Sequence, residues 1–269
     1  MTLGLFFILA VFVFGLLIGS FLNVVILRLP AGETLFGRSA CPRCGHVLTP
    51  RDLIPIFSFL FLRGRCRSCQ EKISWRYFFI ELLTACVFVS ALLFVNPVAL
   101  PSFFHLGILW VAGAVGIVTF IVDMEHYIIL DIVTFVGVVF VLVFSLCLDI
   151  FVHSSSFVTG YTIHALLGAV AGFLPFFALW WFSAGRWIGF GDVKFMLFVG
   201  AVAGFPLVFI SMLFSFWIGA LVSLPLLFLG RKGLKSKLPF GTFLTLGMAT
   251  SLLFGTPLLS WYTSLIVMK

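Results

Sequence analysis

Four cysteines and a few acids carry most of the chemistry open to this chain. Cys41 and Cys44 form C-P-R-C, Cys66 and Cys69 form C-R-S-C, and 21 residues separate the two pairs. Two C-x2-C hairpins can set four thiolates tetrahedrally around Zn2+ at about 2.3 Å, and four sulfurs close the site, so the metal is expected to be structural. A closed set leaves His46 as a surface residue. Cys86 and Cys147 fall inside apolar segments and are expected to be small buried side chains.

The acids divide by position. Of nine Asp and Glu, Glu33, Asp52 and Glu71 share the polar stretch with the cysteines and Asp149 lies at an outer helix end. Glu81, Asp123, Glu125, Asp131 and Asp192 lie at or near the ends of long apolar segments. A carboxylate at membrane depth is costly and points to function. Asp192 closes G-F-G-D, with Lys194 two residues on. Two neighbouring carboxylates cannot both ionise easily; one keeps a proton, and the pair can activate water for attack on a carbonyl and protonate the leaving amine. The glycines before Asp192 would admit a peptide backbone. The same acid could instead pair with Arg186 or Lys194, and its position alone leaves both readings open. Glu81, just inside the second helix, faces the substrate or pairs with Arg76, and the pairing is the favoured expectation.

The elements that must hold these groups are membrane helices. The chain is 62% hydrophobic and 9% charged, with a mean hydropathy of +1.27, far from the composition of a water-soluble domain. The fold class expected is all-α: a polytopic membrane protein of about eight transmembrane helices with a small zinc-binding cytoplasmic loop domain. The crossings are expected near 3–27, 77–95, 103–122, 128–148, 161–182, 193–204, 206–229 and 240–262, each measured against a hydrocarbon core of about 30 Å. The sixth is the weakest, since it exists only if a hairpin at Gly204 to Pro206 splits one apolar run. The first is a membrane helix rather than a signal peptide, its n-region being uncharged and its apolar run long.

Charge suggests orientation. Nine Arg and Lys lie from Arg28 to Arg76, Arg186 and Lys194 flank G-F-G-D, and Arg231, Lys232, Lys235 and Lys237 form a further cluster. Eight crossings put all three regions on one side, which the positive-inside rule makes cytoplasmic. The net charge of +7 then reflects topology and contact with membrane lipids; no nucleic-acid groove is implied. The helix count also brings Asp123 and Asp192 to that same side. The polar loop has too few aliphatic residues for a core of its own, so metal would supply its folding free energy. Three regions follow: a first helix over 1–27, a cytoplasmic zinc-binding loop domain over 28–76, and a transmembrane peptidase domain over 77–269.

With these residues on view, the chain resembles the type IV prepilin peptidases, GxGD-type membrane aspartic proteases. The blocks that carry the resemblance are G-S-F-L-N-V-V-I-L-R-L-P from Gly19, the whole cysteine stretch from Cys41 to Tyr77, D-M-E-H-Y-I-I-L-D from Asp123 to Asp131, G-F-G-D-V-K from Gly189, and P-F-G from Pro239. The resemblance implies Asp123 and Asp192 as catalytic acids, with Asp131 supporting. It implies cleavage of a short basic leader from prepilins and pseudopilins at the cytoplasmic face of the bacterial inner membrane, followed by methylation of the new N-terminus with S-adenosylmethionine. It associates the cysteine loop with methyl transfer and matches Gly64 and Arg65 to cofactor binding. The chain departs from the family pattern by lacking prolines at Phe78, Leu130 and Thr242, which touches helix ends rather than reactive groups. Two other classes stand beside this reading: a transporter or proton relay, which would favour mid-helix acids and inverted repeats, and an inactive zinc-anchored scaffold. A presenilin-like protease shares GxGD but lacks the cysteine loop.

Overall fold

The computed structural model describes residues 4–97, 99–152, 160–229 and 238–267. The basic residues Arg231, Lys232, Lys235 and Lys237, together with Lys269, lie outside them. Among the described residues the helices are α1 (Leu5–Arg28), α2 (Phe57–Phe61), α3 (Trp75–Val95), α4 (Leu100–His126), α5 (Asp131–Val152), α6 (Tyr161–Ser183), α7 (Phe190–Ala203), α8 (Val208–Phe228) and α9 (Phe240–Val267). Among the described residues there are two isolated antiparallel bridges and no strands, and both bridges lie in the polar loop between α1 and α3. Seven of the helices, α1, α3 to α6, α8 and α9, are long and apolar enough to cross a membrane. The chain is an integral membrane protein.

The sixth expected crossing is α7, and it is short. Its 14 residues span about 21 Å. It ends at Gly204, whose φ of +71° turns the chain, and α8 begins four residues later; the hairpin expected at Gly204 to Pro206 is where the sequence places it. Phe205 N–H donates to the His164 carbonyl at 2.9 Å, so α7 runs back beside α6 to the end where α6 starts. Short length is tolerable because α7 is largely covered by protein: from Gly191 to Ala203 every residue is buried or half-buried.

The chain divides into two compact units, Met1–Val98 and Ala99–Lys269. In the first, α1 and α3 lie against each other over Gly15 and Gly19. A Cβ at Gly15 would sit 2.6 Å from Ala85 Cα, and one at Gly19 would sit 2.6 Å from Glu81 Cα. This is the small-xxx-small contact that lets membrane helices meet backbone to backbone. The polar loop is rooted on α3 by aromatic rings, Phe59 lying 4.9 Å from Trp75 and 5.8 Å from Phe78.

In the second unit α7 is the core. Val193, Phe195, Met196, Phe198 and Val199 are fully buried, packed within α5, α6 and α9. Gly168 of α6 and Gly200 of α7 each face the other helix's backbone, and a side chain on either would collide with it. The helix that carries Asp192 is thereby fixed by backbone contact rather than by adjustable side chains. Cys147 is half-buried but Cys86 is exposed on α3, contrary to the expectation of a buried residue: its helix face is turned away from the packed neighbour, and an apolar thiol suits lipid as well as a core.

Candidate functional site

The four cysteines converge. The Sγ atoms of Cys41, Cys44, Cys66 and Cys69 all lie within 4.8 Å of one another, and Cys41 and Cys69 sulfurs are 3.8 Å apart. Tetrahedral thiolates at the Zn–S distance would be separated by about 3.8 Å, so the quartet fits a structural zinc. Two copies of one hairpin build it. Cys41 N–H donates to the His46 carbonyl and Gly45 N–H to the Cys41 carbonyl, while Cys66 N–H donates to Glu71 and Gln70 N–H to Cys66. Bridges Ala40–Val47 and Arg65–Lys72 close the hairpins at matching offsets. The turn needs a left-handed residue after the second cysteine: Gly45 has φ +71° and Gln70 takes φ +57°. His46 is exposed and contributes its carbonyl, not its ring.

Gly64 and Arg65 lead into the second hairpin. Gly64 has φ +67°, and a Cβ there would meet the Phe59 ring at 3.0 Å. Its local work is to let the chain turn under that ring. Asp52 anchors the other edge of the loop: it accepts from the Thr49 hydroxyl at 2.7 Å and from Arg67 Nε at 2.7 Å. The Thr49 hydroxyl first, then Arg67, holds the Asp52 carboxyl down to about 2.

The acid pair lies in the second unit. Asp123, near the C-terminal end of α4, is 5% exposed and reaches the N-terminus of α9. Its Oδ2 accepts from the Thr242 N–H at 2.8 Å and the Thr242 hydroxyl at 3.3 Å. The first amides of a helix have no partner within it and carry the positive end of its dipole, so a carboxylate is a fitting ligand. Asp192 is the third residue of α7, and its carboxylate lies over Gly189 at the start of that helix. Gly191, next to Asp192, and Gly241, against Asp123 Oδ2, both lie against Ile129, so the two expected acids share one neighbourhood.

The glycines of G-F-G-D have packing roles here. A side chain at Gly189 would crowd the Asp192 carboxylate, 3.2 Å away, and one at Gly191 would meet Ile129 Cβ at 3.2 Å. Lys194 does not hold Asp192. Its ammonium donates to Asp131 Oδ2 at 2.6 Å and lies 5.0 Å from the Phe190 ring centre, tying the start of α5 to the first turn of α7.

Two features went unread in the sequence. Thr242 is 119 residues from Asp123, and the only hint was Pro239-Phe240-Gly241 opening an apolar run, which marks a helix start with free amides. The other is in the first unit: Glu81 Oε2 accepts from the Ile56 amide at 2.8 Å. Ile56 has φ +60°, a conformation β-branched residues rarely adopt, so no local signal foretold it.

Comparison with known proteins bears on this arrangement. Residues 13–95 match the model of the Bacterial Peptidase A24 N-terminal domain, and residues 110–224 that of the Type IV leader peptidase family. A prepilin leader peptidase/N-methyltransferase of Aeromonas salmonicida is 33% identical over 289 residues, covering 96% of this chain and 94% of its own. The chain belongs to the type IV leader peptidase family. Other relatives of the same name are found in Bacillus subtilis, 32% identical over 93% of this chain and 96% of theirs, and in Pseudomonas aeruginosa, 31% identical over 95% and 93%. No solved structure matches. As a leader peptidase the chain is an enzyme, and the N-terminal family match spans the whole cysteine loop together with α3.

Proposed function

We propose that the chain removes the short basic leader of type IV prepilins and pseudopilins at the cytoplasmic face of the bacterial inner membrane, with Asp123 and Asp192 as a two-aspartate peptidase, and then N-methylates the new N-terminal residue. The observation that carries the reading is the placement of Asp123: a buried carboxylate held by the Thr242 amide and hydroxyl at the start of α9, with Asp192 in the same neighbourhood. The names of the relatives support both activities.

Peptide hydrolysis needs a base for water and an acid for the departing amine. Both Thr242 bonds fall on Oδ2 of Asp123, leaving Oδ1 to take a proton from water. Asp192, on a helix that cannot shift without backbone collision, keeps the second carboxyl at a fixed offset. Like charges at close quarters favour one shared proton, which supplies the acid. Lys194 and Asp131 brace the two helices and stay out of the proton transfers.

For methyl transfer, S-adenosylmethionine supplies a sulfonium methyl group when bound. The residues that fit it belong to the first unit, where a cavity of about 450 Å3 opens beneath the cysteine hairpins, within the usual range for small-molecule sites. Phe59 walls it, and Gly64 gives that ring its room; Arg65 sits on the adjoining hairpin. Zinc at the four cysteines has an architectural role, keeping both hairpins closed over the cavity.

The test is a cleavage assay with a prepilin in detergent, reading released N-termini by mass spectrometry. Asp123→Asn and Asp192→Asn are expected to give no product, and a Cys41→Ser, Cys44→Ser variant to cut without adding a methyl group. Normal cleavage by either Asn variant overturns the two-aspartate assignment.

A further inference from the structure

We infer that the cavity of the first unit is a seat for a primary ammonium group, held between Asn23 Oδ1 and the Glu81 carboxylate. The inference rests on the methyl-transfer half of the proposed function for its choice of ligand, and on the cavity itself for the head group.

Asn23 is 3% exposed. Its Nδ2 donates to the Tyr77 carbonyl at 3.2 Å, which fixes the amide: turned over, it would set oxygen against oxygen. Oδ1 therefore faces the other way, and it has no hydrogen-bond partner. A buried acceptor left unmet is rare and calls for an explanation, a missing ligand among them. Asn23 lines the cavity, and so does Glu81, itself 8% exposed.

Glu81 has acceptor capacity to spare. It takes the Ile56 amide and has the Ser20 side chain as a second hydrogen-bonding neighbour, while a carboxylate offers about four acceptor sites. The two residues meet because of the α1–α3 contact. Gly19 lies against Glu81 Cα, and Asn23 is one helical turn further along the same face.

Both groups accept and neither donates toward the cavity, so the matching head group must present several donors. A hydroxyl offers one. A primary ammonium offers three and brings the charge that a buried carboxylate lacks. The cavity also has apolar lining, Val24, Leu27 and Phe59 among it, so the amine is carried on an apolar or aromatic body. Arg28 also lines the cavity, but its guanidinium donates to the Leu35 and Arg38 carbonyls; the other charged lining residues, Arg43, Arg67 and Lys72 with Asp52 and Glu71, belong to the metal-bearing loop. Two partners in the proposed reaction carry such an amine: the newly exposed N-terminus of the cleaved prepilin, and the amino-acid portion of the methyl donor.

The experiment uses the full, zinc-loaded chain in detergent and reads equilibrium binding. The probes are a fluorescent peptide with the mature prepilin N-terminus, its N-acetylated counterpart, and tritiated S-adenosylmethionine. Asn23→Leu and Glu81→Gln are each expected to weaken one free-amine probe by about ten- to a hundredfold, the loss of a charge-assisted bond, without changing binding of the acetylated peptide. If the free-amine peptide is the probe affected, the seat is for the methyl acceptor; if S-adenosylmethionine, it is for the donor. Unchanged binding of both overturns the inference. Glu81→Gln also perturbs the Ile56 anchor, so metal content is measured in parallel, and Asn23→Leu, which leaves that anchor intact, decides if the Glu81 variant loses zinc. A wild-type chain that binds the amine but transfers no methyl group sinks the methyl-transfer reading and leaves the seat standing.

Discussion

Adding one methyl group at Gly241 should slow cleavage without unfolding the enzyme. A Cβ built there falls 2.8 Å from Ile129 Cδ1 and 3.0 Å from Asp123 Oδ2, against ordinary contacts of 3.4 Å and more. Something must give by about 0.4 to 0.6 Å. The Ile129 tip can rotate aside, but Asp123 Oδ2 is held by Thr242 on the same turn of α9, so the carboxylate is carried off its position. A misplacement of about 1 Å at reacting groups costs on the order of a hundredfold, and half of that gives roughly a tenfold loss, or about 1.4 kcal/mol of barrier. Stability moves less: overpacking costs about 1–3 kcal/mol, while replacing Gly by Ala inside a helix returns about 1 kcal/mol. The assay is steady-state cleavage of a prepilin by Gly241→Ala, with thermal unfolding in parallel. A fall in kcat with KM and melting temperature little changed is expected. Combining it with Ile129→Ala relieves one contact and not the other, so most of the defect should persist. If kcat is unchanged in Gly241→Ala while Asp123→Asn is inactive, the carboxylate does not need the α9 anchor and the geometric reasoning fails.

Three further outcomes follow from the geometry. Thr49→Val should raise the Asp52 titration midpoint from about 2 toward the ordinary carboxylate range, measured by carboxyl carbon NMR. Because the folded value is depressed, the turn's contribution is present above the ordinary range and is lost as pH falls through about 2; an unmoved midpoint would refute the Thr49 bond. Lys194→Met should leave cleavage close to wild type, since the half-exposed Asp131 partner makes this a pair worth about 1 kcal/mol or less; abolished cleavage would return Lys194 to the acid pair. Removing zinc with a chelator, or Cys69→Ser, should open the loop to limited proteolysis between Arg28 and Arg76 while α1 and α3 survive, because the metal supplies much of such a loop's folding free energy.

What could be read from the sequence was what neighbouring residues encode. The C-x2-C pairs set their own hairpins, Gly204 marked the turn that makes α7 a separate helix, and hydropathy marked the long helices. Contacts between distant residues were not legible. Nothing near Asp123 announces Thr242, and nothing near Glu81 announces the loop amide that its Oε2 takes. The strained Ile56 that supplies that amide violates local preference, and such positions persist only where tertiary structure over-determines them. The unmet oxygen of Asn23 likewise appears only once α1 and α3 are docked.

The burial of α7 sets how the enzyme senses its bilayer. Stretching or thinning of the hydrocarbon layer works on helices that touch lipid, at fractions of a kcal/mol per Å, and α7 offers no exposed residue from Gly191 to Ala203 through which to receive that load. Asp192 thus rides on a part with little surface of its own to take up membrane tension, and the turnover of this enzyme should vary little among vesicles of different acyl-chain length.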